Sequence, residues 1–114
     1  MKIISTRTDG ILTIALAGEL DHHAARSGIA RIGQLIDIEL PHRTVLDLSQ
    51  LSFMDSSGIA VIVNLYRRMQ ELDGSLDIVE APNQAYKVIH AAGLDRMIPT
   101  QRAGALSTHK TASR

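Results

Sequence analysis

The sequence contains no cysteine, which excludes disulfide scaffolds, thiolate metal sites and cysteine nucleophiles. Aromatic residues are scarce, with one Phe, two Tyr and no Trp, so few side chains are available for stacking on nucleic acid bases. The twelve acidic and twelve basic residues cancel, and a chain without net charge has no general field that attracts a phosphate backbone. We therefore expect no direct nucleic acid partner.

Long hydrophobic runs are also missing. The first seven residues lack the apolar segment of a signal peptide, and no stretch approaches the roughly 20 apolar residues of a membrane span. We therefore expect a chain in the cytoplasm with no membrane partner. Its 114 residues suffice for one domain that folds without a metal or disulfide.

Strand-like and helix-like segments alternate along the chain. Asp9-Gly10 separates two strand-like segments, and this dipeptide is typical of a two-residue hairpin turn. Further strands are indicated at residues 43–48, 76–79 and 96–98, with amphipathic helices between them. Strands separated by such helices pair in parallel through right-handed crossovers. The sequence predicts an α/β fold whose mixed sheet has four to five strands and opens with a β-hairpin.

Helix boundaries are marked by capping residues. Asp21 is a candidate N-cap for a helix that ends before Pro41, and Gly93 is placed to close a helix that begins at Pro82-Asn83. Beyond Pro99 the residues are mostly polar or small. This pattern predicts a folded domain over residues 1–100 and a loose C-terminal tail over 101–114.

A small polar cluster, Asp55-Ser56-Ser57-Gly58, precedes the central amphipathic helix. Each of the two serines and the aspartate can cap the helix, because their side-chain oxygens accept hydrogen bonds from first-turn N–H groups. Two hydroxyls at a helix N-terminus are also a plausible phosphate site, since the helix dipole favours negative charge there. Met54, just before the cluster, is suited either to the core or to an adaptable contact with a partner.

Catalytic interpretations of the cluster have little support. Neither Ser56 nor Ser57 has glycines at the spacing of a nucleophile elbow, and His22 and His23 are most simply exposed residues of a helix's first turn. The acidic pair and lysine that an aspartyl phosphoacceptor needs are not in the required places, and no glycine-rich phosphate loop occurs. We expect no enzymatic activity, no cofactor and no metal site.

Three segments together resemble one known family, the STAS-domain anti-sigma factor antagonists of bacteria. They are the segments 18–23 (GELDHH), 51–58 (LSFMDSSG) and 92–94 (AGL), which occur in the family's order and spacing. The resemblance covers about residues 2 to 100 and implies the STAS fold, a mixed sheet with helices largely on one side. It departs from the family at Ile59-Ala60, where Leu-Gly is usual.

The resemblance implies a partner switch. In the family, the unmodified antagonist binds an anti-sigma factor that is also a serine/threonine kinase, and thereby frees a sigma factor. Phosphorylation of the serine after the aspartate, which is Ser56 here, ends this binding until a serine phosphatase removes the phosphate. The alternative is a STAS module that is never phosphorylated and serves as a scaffold or regulatory subunit of a transporter or signalling assembly.

The resemblance also suggests roles for single residues. Asp21 matches an aspartate of the family's partner-binding loop. We expect Asp55 to fix the loop, Ser56 to accept phosphate, Ser57 to cap the helix and Gly58 to keep the helix start open to a kinase. The predicted partner-binding residues are Asp21, His22, Met54, Asp55, Ser56, Ser57, Gly58 and Ile59. The sequence carries no signal for the oligomeric state.

Overall fold

A five-stranded sheet and three helices make up residues 1–104, the part of the chain that the computed structural model describes. No helix of these residues is long and apolar enough to cross a lipid bilayer. The elements in chain order are β1 (Lys2–Thr8), β2 (Ile11–Leu20), α1 (His22–Glu39), β3 (Arg43–Met54), α2 (Ser57–Glu71), β4 (Ser75–Ala81), α3 (Asn83–Ala91), a 3-10 turn (Leu94–Arg96) and β5 (Thr100–Arg102).

The sheet runs in the order β1-β2-β3-β4-β5. β1 and β2 form the predicted antiparallel hairpin, and Asp9 and Gly10 between them both have positive φ, 52° and 79°. These values match the backbone twist that a two-residue hairpin turn requires. The remaining neighbours pair in parallel, since each connection passes through a helix or a longer segment. The prediction of a mixed α/β sheet is confirmed.

The core lies on one face of this sheet. In the first part of β2, β3 and β4 every second residue is buried there, while the residues between them are half-buried or exposed. The helices supply the other half of the core, so they cover one side of the sheet, as the resemblance implied. The buried residues of the three central strands are Leu12, Ile14, Leu16, Leu20, Thr44, Leu46, Leu48, Leu51, Met54, Leu76, Ile78 and Ala81.

α1 and α2 pack against each other at a glycine. A Cβ atom on Gly33 would lie 3.0 Å from the guanidinium of Arg68, so a larger residue there would displace the end of the Arg68 side chain from its present position across α1. Arg68 then donates to Asp37 at 2.7 Å on the surface of α1. The glycine that weakens α1 as an isolated helix therefore serves the contact between two helices.

Two predicted boundaries are wrong. β3 continues beyond residue 48 to Met54, because a register shift against β2 between Ala15 and Ala17 lets the pairing resume. The last strand is not residues 96–98, which belong to a turn, but Thr100–Arg102, which pairs with β4. A loose segment directly after residue 100 is therefore incorrect as far as Arg102, and the predicted tail from residue 105 onward lies outside the described residues.

The contact between α2 and β3 yields a test of stability. The buried hydroxyl of Thr44 donates to the Met69 sulfur at 3.1 Å. Met69→Leu keeps the volume but removes this acceptor, so we expect a loss of about 1–3 kcal/mol of unfolding free energy. Adding Thr44→Val should restore most of the loss, since no buried hydroxyl is then left unpaired. Urea unfolding of both single variants and the double variant measures this, and purely additive effects contradict it.

Candidate functional site

The candidate site lies where β2 and β3 end side by side. Leu20 pairs with Met54, and the Asp55 N–H donates to the Leu20 carbonyl at 3.2 Å. Asp21 and Asp55 directly follow these paired residues, so the two aspartates lie at one edge of the sheet. The carboxyl edge of parallel strands is the usual place for functional loops in α/β proteins.

Asp21 is the N-cap of α1, as predicted. Its Oδ1 accepts a hydrogen bond from the Ala24 N–H at 3.0 Å. This bond is the main reason that the pKa of Asp21 is lowered from its usual value, with a smaller contribution from the nearby His23 and His22. Both histidines are exposed, and their ring centroids lie 4.1 Å apart. Asp21, Glu19 and His23 border an open depression of about 370 Å³.

The segment before α2 is organised by Asp55. Its Oδ1 accepts a hydrogen bond from the Ser57 N–H at 2.8 Å, and its carbonyl accepts one from the Gly58 N–H at 3.0 Å. Ser57 is the first helical residue and a donor to Asp55, so the prediction that its side chain caps the helix is wrong. Ser56 occupies the N-cap position, but its side chain makes no capping hydrogen bond. The exposed Ser56 hydroxyl is thus not needed to hold the helix.

Met54 and Gly58 belong to the core. The Met54 side chain is fully buried, so its predicted side-chain contact with a partner is incorrect. Gly58 is buried as well, and a Cβ there would lie 2.7 Å from Met54 Cγ and 3.0 Å from Leu20 Cδ2. Glycine at this position lets α2 approach the ends of β2 and β3, and it does not expose the helix start. The polar residues Asp55, Ser56 and Ser57 separate Met54 from Gly58 in the sequence, so their packing against each other was not predicted.

Gln84, near the start of α3, is a site residue that sequence reasoning missed. Its Oε1 accepts a hydrogen bond from the Met54 N–H at 2.8 Å, and its Nε2 donates to the Met54 carbonyl at 2.7 Å. The amide therefore brackets the residue that precedes Asp55. Gln84 lies 30 positions further along the chain, so no local pattern could have identified it.

A shallow groove of about 490 Å³ lies next to Ser56 between α2 and α3. Its walls are mainly apolar, and Lys87 is the charged residue among those that line it. A surface of this kind suits an apolar side chain of a partner, with the serine hydroxyl at its rim. The lining residues are Ser56, Ile59, Gln84, Lys87, Val88, Ala91 and Ala92.

Comparison with known proteins places this arrangement in a family. The STAS domain profile matches residues 2–106, which is most of the chain. The chain belongs to the STAS domain family. An anti-sigma F factor antagonist of Paenibacillus polymyxa is 30% identical over 90 residues, which cover 79% of this chain and 77% of the relative.

Solved structures share the STAS fold over nearly the full length. An anti-sigma factor antagonist from Mycobacterium paratuberculosis has a TM-score of 0.79 at 25% identity, with 97% of this chain and 92% of that chain covered. The Bacillus cell fate determinant SpoIIAA in its phosphorylated form has a TM-score of 0.69 at 25% identity, with 99% and 100% covered. The five-stranded sheet and three helices are therefore those of a STAS domain.

The capping role of Asp21 in this STAS domain is open to a pH test. Its folded-state pKa is lowered, so its contribution to stability is fully present above the usual pKa of 3.8 and is lost as the pH falls through the lower folded-state pKa. We expect an NMR titration of the Asp21 side-chain carboxyl carbon in the folded protein to have its midpoint below 3.8. A midpoint at or above that value contradicts the capping bond as the main influence.

The packing of Gly58 is open to a mutational test. Gly58→Ala should lower the unfolding free energy by about 1–3 kcal/mol, because the new methyl group overlaps Met54 Cγ. Gly28→Ala in α1 is the matched control, since its methyl group would meet only the end of the Met1 side chain at 3.1 Å. The control should gain up to about 1 kcal/mol from helix propensity. Denaturant unfolding measures both free energies. Equal changes in the two variants would contradict tight packing at Gly58.

Proposed function

We propose that the chain is an anti-sigma factor antagonist that is switched by phosphorylation of Ser56. In its unmodified form it binds an anti-sigma factor with serine kinase activity, which frees a sigma factor. Phosphate on Ser56 ends this binding, and a serine phosphatase restores it. The observation that carries the proposal is an exposed Ser56 at the N-terminus of α2 whose hydroxyl has no capping role.

A phosphate at Ser56 is compatible with the folded domain. It adds about −1.5 to −2 charges at a helix N-terminus, where the dipole favours an anion by roughly 0.3–1 kcal/mol. The nearest acidic side chain in sequence, Asp55, already directs Oδ1 to the Ser57 N–H. The capping of α2 is thus independent of the Ser56 hydroxyl. Phosphorylation of this hydroxyl therefore leaves the start of the helix intact.

The same phosphate is incompatible with a close interface. Ser56 stands at the rim of the apolar groove between α2 and α3, where a docked partner would remove water from it. Burying a dianion without a paired cation costs several kcal/mol, and each 1.4 kcal/mol is tenfold in affinity. Phosphorylation therefore acts as a local block on docking and requires no change of fold.

The proposed contact surface follows from exposure. Asp21 and His22 follow the end of β2, Asp55 follows the end of β3, and Ser56 and Ile59 lie at the start of α2, all of them exposed or half-buried. Ser57, which is half-buried, completes the surface at the start of α2. Because the proposed partner is an ATP-dependent kinase, we expect the protein to act in the cytoplasm.

Substitution of Ser56 tests the switch. Ser56→Ala should remain folded and bind the kinase but accept no phosphate, whereas Ser56→Asp should remain folded and bind about 100-fold more weakly or worse. Candidate anti-sigma kinases encoded near its gene, with ATP and magnesium, are the reagents. Mass spectrometry locates the phosphate, and calorimetry measures the affinity.

Ser57→Ala is the matched control, because the Ser57 contact with Asp55 uses its backbone N–H. This variant should still be labelled at Ser56. If the kinase still phosphorylates the Ser56→Ala variant, the phosphate acceptor is Ser57 and not Ser56. A wild-type chain that stays unmodified with every candidate kinase contradicts the proposal and favours a STAS scaffold or regulatory subunit without phosphorylation.

A further inference from the structure

Within residues 1–104, which the structure describes, the end of β3 has no strand neighbour on one side. β4 pairs with β3 only as far as Asp47 and Val79, and Glu80 then takes a positive φ of 56° as the register with β5 shifts. On its other side, β3 stays paired with β2 up to Met54. From residue 48 to Met54, β3 therefore pairs with a described strand on the β2 side only, just before the chain reaches Ser56.

Gln84 fills this gap at Met54. Its side-chain amide offers an acceptor and a donor to the Met54 N–H and carbonyl, at 2.8 and 2.7 Å, as a neighbouring strand would. The following N–H, of Asp55, points to the opposite side and donates to Leu20 at 3.2 Å. The chain just before Ser56 is thus held from both sides, by β2 and by a side chain of α3.

We propose that Gln84 is a positioning residue that holds the Met54 peptide groups, and through them Asp55 and Ser56, in the conformation that the kinase recognises. The proposal rests on the proposed function, since recognition requires that Ser56 is the acceptor. Gln84 also lines the groove beside Ser56, so a partner docked in the groove would contact α3 at the same residue that bonds to the Met54 backbone. α3 thereby becomes part of the phosphorylation site, although the serine that receives the phosphate lies before α2.

Gln84→Met isolates the hydrogen bonds from the packing. Methionine has a similar length and volume and a similar helix propensity, but it can neither donate to nor accept from the Met54 backbone. Asn83→Leu is the matched control on the same helix, because Asn83 accepts a hydrogen bond from Arg102 of β5 at 3.0 Å and none from β3. Both variants lose a side-chain contact of α3, but only one loses the bracket.

The first measurement needs no partner. Amide hydrogen exchange followed by NMR should be at least about tenfold faster at Met54 in Gln84→Met than in wild type or Asn83→Leu, a change that corresponds to 1.4 kcal/mol or more. Exchange at Leu46, in the centre of β3, should be the same in all three chains. Unchanged exchange at Met54 in Gln84→Met overturns the inference, whatever any kinase does.

The second measurement is kcat/KM for phosphorylation of Ser56, with ATP, magnesium and the kinase that labels the wild-type chain. We expect at least about a fivefold loss in Gln84→Met and no change in Asn83→Leu. Faster exchange at Met54 with an unchanged kcat/KM overturns the positioning role and leaves the proposed function standing. A wild-type chain that no kinase labels overturns the proposed function, and with it the kinase-recognition role of Gln84, while the exchange still decides whether Gln84 holds the segment.

Discussion

The parallel pairing of β2 with β3 is the constraint on which the other features of this protein depend. The two strands run together to Leu20 and Met54, and the Asp55 N–H still donates to the Leu20 carbonyl after the strands end. This pairing brings Asp21 and Asp55 to one edge of the sheet and starts two helices from neighbouring points. The core beneath the edge is closed by Met54 against Gly58, so the position of α2 is set by side-chain packing as well as by backbone hydrogen bonds.

Two aspartates carry out comparable work at this edge. Asp21 accepts the Ala24 N–H and Asp55 accepts the Ser57 N–H, so each carboxylate satisfies a first-turn donor of the helix that follows. Because Asp55 does this for α2, the Ser56 hydroxyl is left out of the capping and faces solvent. The Ser56 side chain makes no capping hydrogen bond, whereas its backbone carbonyl accepts one from the Ile59 N–H at 3.1 Å. Helix capping and the proposed phosphorylation thereby fall to adjacent side chains.

Local patterns predicted the parts of the fold that depend on local physics. The Asp9-Gly10 turn, the capping by Asp21 and the amphipathic α2 follow from backbone preferences and hydrophobic spacing. The length of β3 and the place of β5 were not predicted, because both depend on pairing with distant strands. The same limitation applies to Met54: the sequence left open whether it joins the core or contacts a partner, and the structure buries it beside Gly58.

The amino-acid sequence was enough to indicate an α/β chain with an Asp-Ser-Ser-Gly cluster before an amphipathic helix, and three of its segments resemble those of the STAS family. Which residue of the cluster caps the helix and which one joins the core became clear only from the folded chain. The structure assigned the capping bond to Asp55 rather than to Ser57, placed Gly58 in the core, and brought Gln84 to Met54. Spacing along the chain is encoded locally, whereas a hydrogen bond between residues 30 positions apart exists only after the crossover from β3 through α2 and β4 has folded.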